Sequence, residues 1–243
     1  MLSEFRIKEL KTFLKSINFN SKNYELINKA LTHTSYTFEN HDSNYDHYER
    51  LEFLGDAVLK LAVSRYLFFK YPDYAEGQLT KIRGIIVSDE FLAKLAGNIN
   101  LSKYLNLGPH EEKSGGRTRP SILACAFEAL LGALYEDGYL DKIYTFLEDL
   151  YDDYVDEINS NMCVYNVKAL LQEYTQSKNK DLPEYIITKE QGKDHNKIYE
   201  VEVRYNGEVL GKGKGKSKKE AEKDAAMDAS VNLGLIIEGK CQI

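Results

Sequence analysis

The residues most able to do chemistry stand in Glu49-Arg50-Leu51-Glu52-Phe53-Leu54-Gly55-Asp56. Glu49, Glu52 and Asp56 are spaced i, i+3 and i+7, so on a helix they share one stripe about 60° wide. Three acids at helical spacing are commonly a solvated face. Here Leu51, Phe53, Leu54, Ala57, Val58, Leu59, Leu61, Ala62 and Val63 surround the stripe, and a helix apolar nearly all round is expected to be buried. Aligned, dehydrated carboxylates repel one another and require cations. Arg50 projects about 100° from Glu49 and cannot neutralise all three. Oxygen donors suit a hard divalent ion such as magnesium.

A second segment repeats the anomaly. Between Ile122 and Tyr135 the one acid is Glu128, among Leu123, Ala126, Phe127, Leu130 and Leu131. It reads either as a snorkelling surface residue or as a partner of the first stripe. The small residues Gly132 and Ala133 would let the two helices approach closely. Glu76, beside Gly77, reads equally as a fifth acid or an ordinary loop residue. Clustered acids with magnesium point to phosphoryl or phosphodiester chemistry. His33, in Leu31-Thr32-His33-Thr34-Ser35, is most simply a structural hydrogen-bonding residue. The sequence has neither His-x-x-x-His nor Gly-x-Ser-x-Gly, so zinc hydrolysis and serine catalysis lack support. Gly211 to Lys219 holds five lysines and no acid. Lysines at the start of a helix call for an anionic partner, because the helix end is itself positive.

The elements that must carry these residues fall into two groups. Up to about residue 158 the apolar spacing is helical throughout, from Leu10, Phe13, Leu14 and Ile17 onward. Pro72 ends the helix of the acidic stripe, Ser88 is a candidate N-cap, and Pro120-Ser121 opens the helix of Glu128. Glu111 to Arg119 reads as a flexible charged loop, and Glu148 to Glu157 as a solvated acidic helix. After Asn166 the period changes. A helix to Thr175 precedes strands at 185–189, 197–205 and 209–213, with Asn206-Gly207 as a hairpin signal. A helix with an Ala-rich face, Ser217 to Leu233, completes α-β-β-β-α. The expected organisation is an all-helical domain over 1–158, a linker over 159–165 and an α+β domain over 166–236.

The 243 residues carry 32 Lys+Arg and 38 Asp+Glu, a formal charge of −6. The total hides an asymmetry: residues 166–243 have 14 basic and 13 acidic residues, net +1, whereas the remainder is net −7. Such a difference fits two domains with different tasks. Cys125, Cys163 and Cys241 form no C-x-x-C spacing, which argues against a disulfide framework or structural zinc. No signal peptide or spanning apolar run is evident, so the expected location is cytoplasmic, away from membranes.

Together these segments resemble the ribonuclease III family of bacterial type. The likeness rests on Glu49–Leu59 (ERLEFLGDAVL), Ala30–Ser35 (ALTHTS), Glu76–Thr80, Ser114–Arg117, Pro120–Ala124 and Glu128–Leu130. Leu170–Tyr174 to Leu233 resembles that family's double-stranded RNA-binding domain. The resemblance implies an all-α endonuclease domain followed by an α+β RNA-binding domain. It implies a homodimer hydrolysing double-stranded RNA with magnesium, or manganese in its place, in RNA processing such as that of ribosomal precursors. It places Glu52, Asp56 and Glu128 at the metal site, with Asp56 and Glu128 as the catalytic pair and Glu49 and Glu76 in support. Phe53 would enter the partner subunit. Gln172 and Glu173 would face one RNA minor groove, His195 the next, and Lys216, Lys218 and Lys219 the phosphates between them. One position departs from the pattern: Cys125 stands where the family usually has an Asp ligand, and a thiol is a poor ligand for a hard ion. The competing reading is a non-catalytic RNA-binding protein in which Cys125 marks a decayed site.

Overall fold

The structure, a computed structural model, describes residues 2–39, 47–179, 181–192, 197–237 and 240–241. The chain divides into two compact units, Met1–Val155 and Asp156–Ile243.

The first unit is helical. It contains α1 (Glu4–Ser16), α2 (Tyr24–Ala30), α3 (Thr34–Glu39), α4 (Glu49–Lys70), α5 (Glu76–Ile86), α6 (Asp89–Asn98), α7 (Pro109–Lys113), α8 (Pro120–Glu136) and most of α9 (Leu140–Ser160). α8 forms the centre because it is apolar on nearly every side, from Ile122 to Leu134. Its start is pre-organised by Pro120, whose missing N–H costs nothing in a first turn. α2, α4 and α6 pack around it. The closest approach is to α4: a Cβ at Gly55 would overlap the carbonyl oxygen of Glu128, and one at Gly132 that of Leu51. Two glycines therefore bring the backbones together at the level of the acids. α9 buries Ile143, Leu147, Tyr151 and Val155 in one helical stripe, and the Tyr151 hydroxyl donates to the Ile86 carbonyl at 2.9 Å.

Two expectations are corrected here. α4 is not enclosed. It buries Leu51, Val58, Leu59, Ala62, Val63 and Leu67, but Phe53, Leu61 and Phe68 are exposed. These three form a second apolar stripe, about 80° wide at 100° per residue, away from α8. Glu111 to Arg119 is not loose. Arg117 donates to the carbonyls of Ser102 and Leu105 and to Glu112, fastening α7 and the 3-10 turn Gly116–Thr118. The acidic face of α9 is exposed, as expected, and on it Asp152 accepts from Tyr66 and Lys70, and Glu148 from Arg65.

In the second unit α10 (Met162–Tyr165) and α11 (Val167–Asn179) precede β1 (Glu184–Gln191), β2 (Ile198–Tyr205), β3 (Glu208–Gly215) and α12 (Lys218–Asn232). The antiparallel sheet has the order β1-β2-β3, and β4 (Ile236–Ile237) pairs with β5 (Lys240–Cys241). Asn206 and Gly207 both take positive φ, 50° and 84°, as a two-residue hairpin of primed type requires. The stretch 159–165 is helical except at Asn161. Gly211, Gly213 and Gly215 face α12, where added Cβ atoms would overlap the backbone of Ala229, Ala225 and Ala221. The Gly-Lys alternation is thus a packing device, with glycines toward the helix and lysines outward. Cys163 is disulfide-bonded, a single cross-link rather than a framework, and Cys125 is a free thiol.

Candidate active site

Glu52 and Asp56 lie on α4 and Glu128 on α8, at the glycine contact. All three are partly buried. Burial and the negative charges of Asp56, Glu52 and Asp89 push the Glu128 carboxyl up to about 7, against the pull of Lys60. The acids therefore act on one another across the two helices. Cys125, one turn before Glu128, is half-buried and faces the same place. Burial, a hydrogen bond to Glu52 and the nearby carboxylates push its thiol up to about 12, so it stays neutral.

The floor and rim come from residues around α4. Tyr48 is buried, and burial together with Cys125, Glu52 and Glu49 holds its hydroxyl proton firmly. His33 meets the Tyr48 ring edge-on, and its Nδ1 lies 2.7 Å from the Ser35 hydroxyl. Its role is the hydrogen-bonding one expected. Glu49 is exposed, 3.6 Å from Nδ1 of His47. Glu76 starts α5, exposed, and accepts from the Thr80 hydroxyl at 2.8 Å.

Two members of the cluster escaped the sequence reading. Asp89 heads α6 and acts on both Glu128 and Cys125. Lys60 donates to Asp56 at 2.7 Å. An i, i+4 acid-to-lysine pair was visible in the sequence, whereas only the packing of α6 on α8 could bring in Asp89.

In donor chemistry carboxylates suit a hard divalent ion, and Asp56, Glu52 and Asp89 all act on Glu128 against the pull of Lys60. As the side chains are placed, no group of three or more His, Cys, Asp and Glu among the described residues could hold a metal ion. The Asp56 carboxylate is engaged by Lys60.

The second unit places Gln172 and Glu173 on the exposed side of α11, and Lys216, Lys218 and Lys219 exposed at the start of α12. That start is capped. Ser217 accepts from the Glu220 N–H, and Glu220 accepts from the Lys216 N–H at 2.7 Å. Lys212 and Lys214, part of the basic run, lie instead on β3, paired with Glu202 and Glu200. His195 lies outside the described residues.

Residues 23–153 match the family model described as Ribonuclease-III-like, and residues 167–233 match the double-stranded RNA binding motif. The Ribonuclease 3 of Listeria monocytogenes is 48% identical over 199 residues, covering 82% of this chain and 86% of its own length. The chain belongs to the ribonuclease III family. The Ribonuclease 3 of Staphylococcus aureus is 43% identical, covering 88% of this chain and 87% of its own. A solved ribonuclease III nuclease domain from Campylobacter jejuni aligns with a TM-score of 0.54 at 37% identity, over 59% of this chain and 96% of that one. As a ribonuclease III, the protein is an endoribonuclease acting on double-stranded RNA. Its all-helical nuclease unit and its α+β RNA-binding unit are those the resemblance implied. The family generally depends on magnesium. No helix among the described residues is long and apolar enough to cross a membrane.

Proposed function

We propose that this ribonuclease III cuts duplex RNA at the cleft between α4 and α8, with Glu52, Asp56 and Glu128 holding magnesium, or manganese in its place. The observation that carries the reading is the mutual effect of these acids, seen in the raised proton affinity of Glu128. A bound divalent ion supplies an activated water and positive charge at the phosphoryl oxygens. The protein's part is to hold the acids in place. The Gly55–Gly132 contact sets the spacing of the two helices. The neutral Cys125 thiol orients Glu52 through its hydrogen bond without adding a charged ligand. Glu49 and Glu76 support the site from its rim.

The same reading makes the enzyme a cytoplasmic homodimer. Phe53 is 83% exposed, and a hollow beside it is lined by Leu26, Lys29, Arg50, Leu54 and Glu136. A knob next to a hole on one face suits a two-fold, self-complementary interface. Gln172, Glu173, His195, Lys216, Lys218 and Lys219 would hold the duplex by its shape and phosphates. Residues 1–158 and 166–236 are the proposed domains, joined by 159–165.

The test separates cutting from holding. Glu128→Gln keeps shape and removes a charged ligand. We expect cleavage of long duplex RNA to fall at least about a thousandfold, since losing a group that stabilises developing charge costs on this order. Duplex affinity in a gel shift should stay within about twofold, because phosphate contacts by lysines dominate it. Near-normal cleavage would remove Glu128 from the site.

A further inference from the structure

We propose that Arg83 is a phosphate-binding residue of the nuclease unit, one that grips the RNA strand a few phosphates from the bond being cut. The proposal rests on the reading of Glu52, Asp56 and Glu128 as the cutting site. What singles Arg83 out is its partners. Residues 1–155 contain six arginines. Four meet a carboxylate: Arg6 meets Glu9, Arg65 meets Glu148, Arg117 meets Glu112 and Arg119 meets Glu111. Arg50 lines the hollow beside Phe53. Arg83 is half-buried, and among the described residues hydroxyls alone hold its guanidinium. One terminal nitrogen donates to Ser64 Oγ at 2.8 Å and the other to Thr80 Oγ1 at 3.5 Å. Both hydroxyls have already committed their protons. Ser64 donates to the Lys60 carbonyl at 2.6 Å, and Thr80 to Glu76 at 2.8 Å. Each therefore presents a lone pair to Arg83, which fixes the guanidinium between α4 and α5.

These bonds orient Arg83 without neutralising it. A guanidinium carries five N–H donors in a rigid fork that matches phosphate oxygens. Two are used here, which leaves three for a ligand. A tether between two helices needs no free charge. A carboxylate at position 64 would hold Arg83 more strongly, but it would cancel the charge. Up to residue 165 the chain is net −7, so an arginine left with neutral acceptors is the exception in this unit.

The position suits a strand leaving the cleft. Ser64 follows Asp56 by eight residues, about 12 Å along α4. Beyond the end of α5 comes Asp89, one of the acids acting on Glu128. Arg83 is thus anchored beside the acids and not among them. With phosphates of one strand succeeding each other at about 3.4 Å or more of helix axis, that distance is roughly two to three phosphates. A contact of this kind reads backbone charge and carries no base preference.

The experiment neutralises phosphates one at a time. Duplex substrates carry a single methylphosphonate at successive positions on either side of the cut. Full-length protein with magnesium is assayed under single turnover over a range of protein concentrations. In wild type, one position on the cut strand should raise the half-saturating concentration about tenfold, the effect of one charge-assisted hydrogen bond. Arg83→Gln should raise it about tenfold on unmodified RNA, with the plateau rate within about threefold, as for a contact made equally before and during reaction. The sensitive methylphosphonate should then cost this variant nothing more. The slope of its log–log salt dependence should fall by about one, and Arg83→Lys should restore the slope. If no methylphosphonate loses its effect in Arg83→Gln, the proposal is overturned. It is overturned equally if Arg83→Gln lowers the plateau rate and the denaturant midpoint but leaves half-saturation and salt slope intact, since Arg83 is then only a helix tether. Glu128→Gln separates this from the reading beneath it. Normal cleavage by Glu128→Gln removes the cutting site from the cleft and the proposal with it, whereas an inactive Glu128→Gln with no coupled phosphate sinks the Arg83 contact alone.

Discussion

The acids around Glu128 in the nuclease unit and those beside the sheet of the RNA-binding unit do opposite things. In the RNA-binding unit the acids beside β2 and β3 have donors. Glu200 accepts from Lys214, and Glu202 from Arg204 and Lys212, which holds both carboxyls below the usual range. Glu220, Asp224 and Asp228 accept the backbone N–H groups of Lys216, Lys214 and Lys212, so one stripe of α12 satisfies the free edge of β3. In the nuclease unit Glu128 faces further acids, and its carboxyl is pushed up to about 7. The lesson is that an acid's partners separate scaffold from chemistry. Carboxylates whose neighbours are donors hold the fold, whereas Glu128 has mostly acids for neighbours and only Lys60 to offset them.

The largest effect that sharpens this contrast should come from Gly55→Ala. The gain in helix propensity is about 1 kcal/mol. The added Cβ overlaps backbone of α8, and backbone cannot swing aside as a side chain can. Net destabilisation of about 2–3 kcal/mol is expected, as for overpacked cores, read as a lowered denaturant midpoint. Cleavage should fall with it as the acids separate.

Changing Lys216, Lys218 and Lys219 together to Ala should weaken duplex binding and flatten the log–log salt dependence by roughly 2–3, because fewer counterions are released. The loss should be alike for unrelated duplex sequences. An unchanged slope would make the cluster a solvated loop and leave the second unit's grip on RNA elsewhere.

The contrast can be broken by a pair of substitutions of opposite sign. In metal-free protein Glu128→Gln should stabilise by about 1 kcal/mol, since it relieves repulsion that solvent screens in part. Asp224→Ala, which removes the acceptor of the Lys214 N–H, should destabilise by about 0.5–1.5 kcal/mol, the usual net worth of a hydrogen bond. Thermal melts in chelator decide it, and the same sign for both would end the distinction.

The smallest effect is a shift in a titration. Cys125→Asp should lower the magnesium concentration for half-maximal cleavage several-fold, with duplex affinity unchanged, because a carboxylate replaces a neutral thiol at the cleft. Superimposed titrations would place position 125 outside the ligand set.

Much of this molecule was legible in the sequence because it depends on local periodicity. The i, i+3, i+7 spacing put Glu49, Glu52 and Asp56 on one stripe, a lone Glu128 stood out on an apolar helix, and Asn206-Gly207 marked its hairpin. Each of these follows from backbone geometry within a few residues. What the tertiary structure decided was which neighbour covers which face. It left Phe53, Leu61 and Phe68 exposed on a helix that composition suggested was enclosed. It brought Asp89 to the site from another helix. It turned Lys212 and Lys214 onto Glu202 and Glu200 while Lys216, Lys218 and Lys219 stayed exposed, although all five occur in one basic run. The physical reason is common to these cases: a side chain's charge and shape are written in the sequence, but its burial and its partners depend on distant segments that only packing brings within a few ångströms.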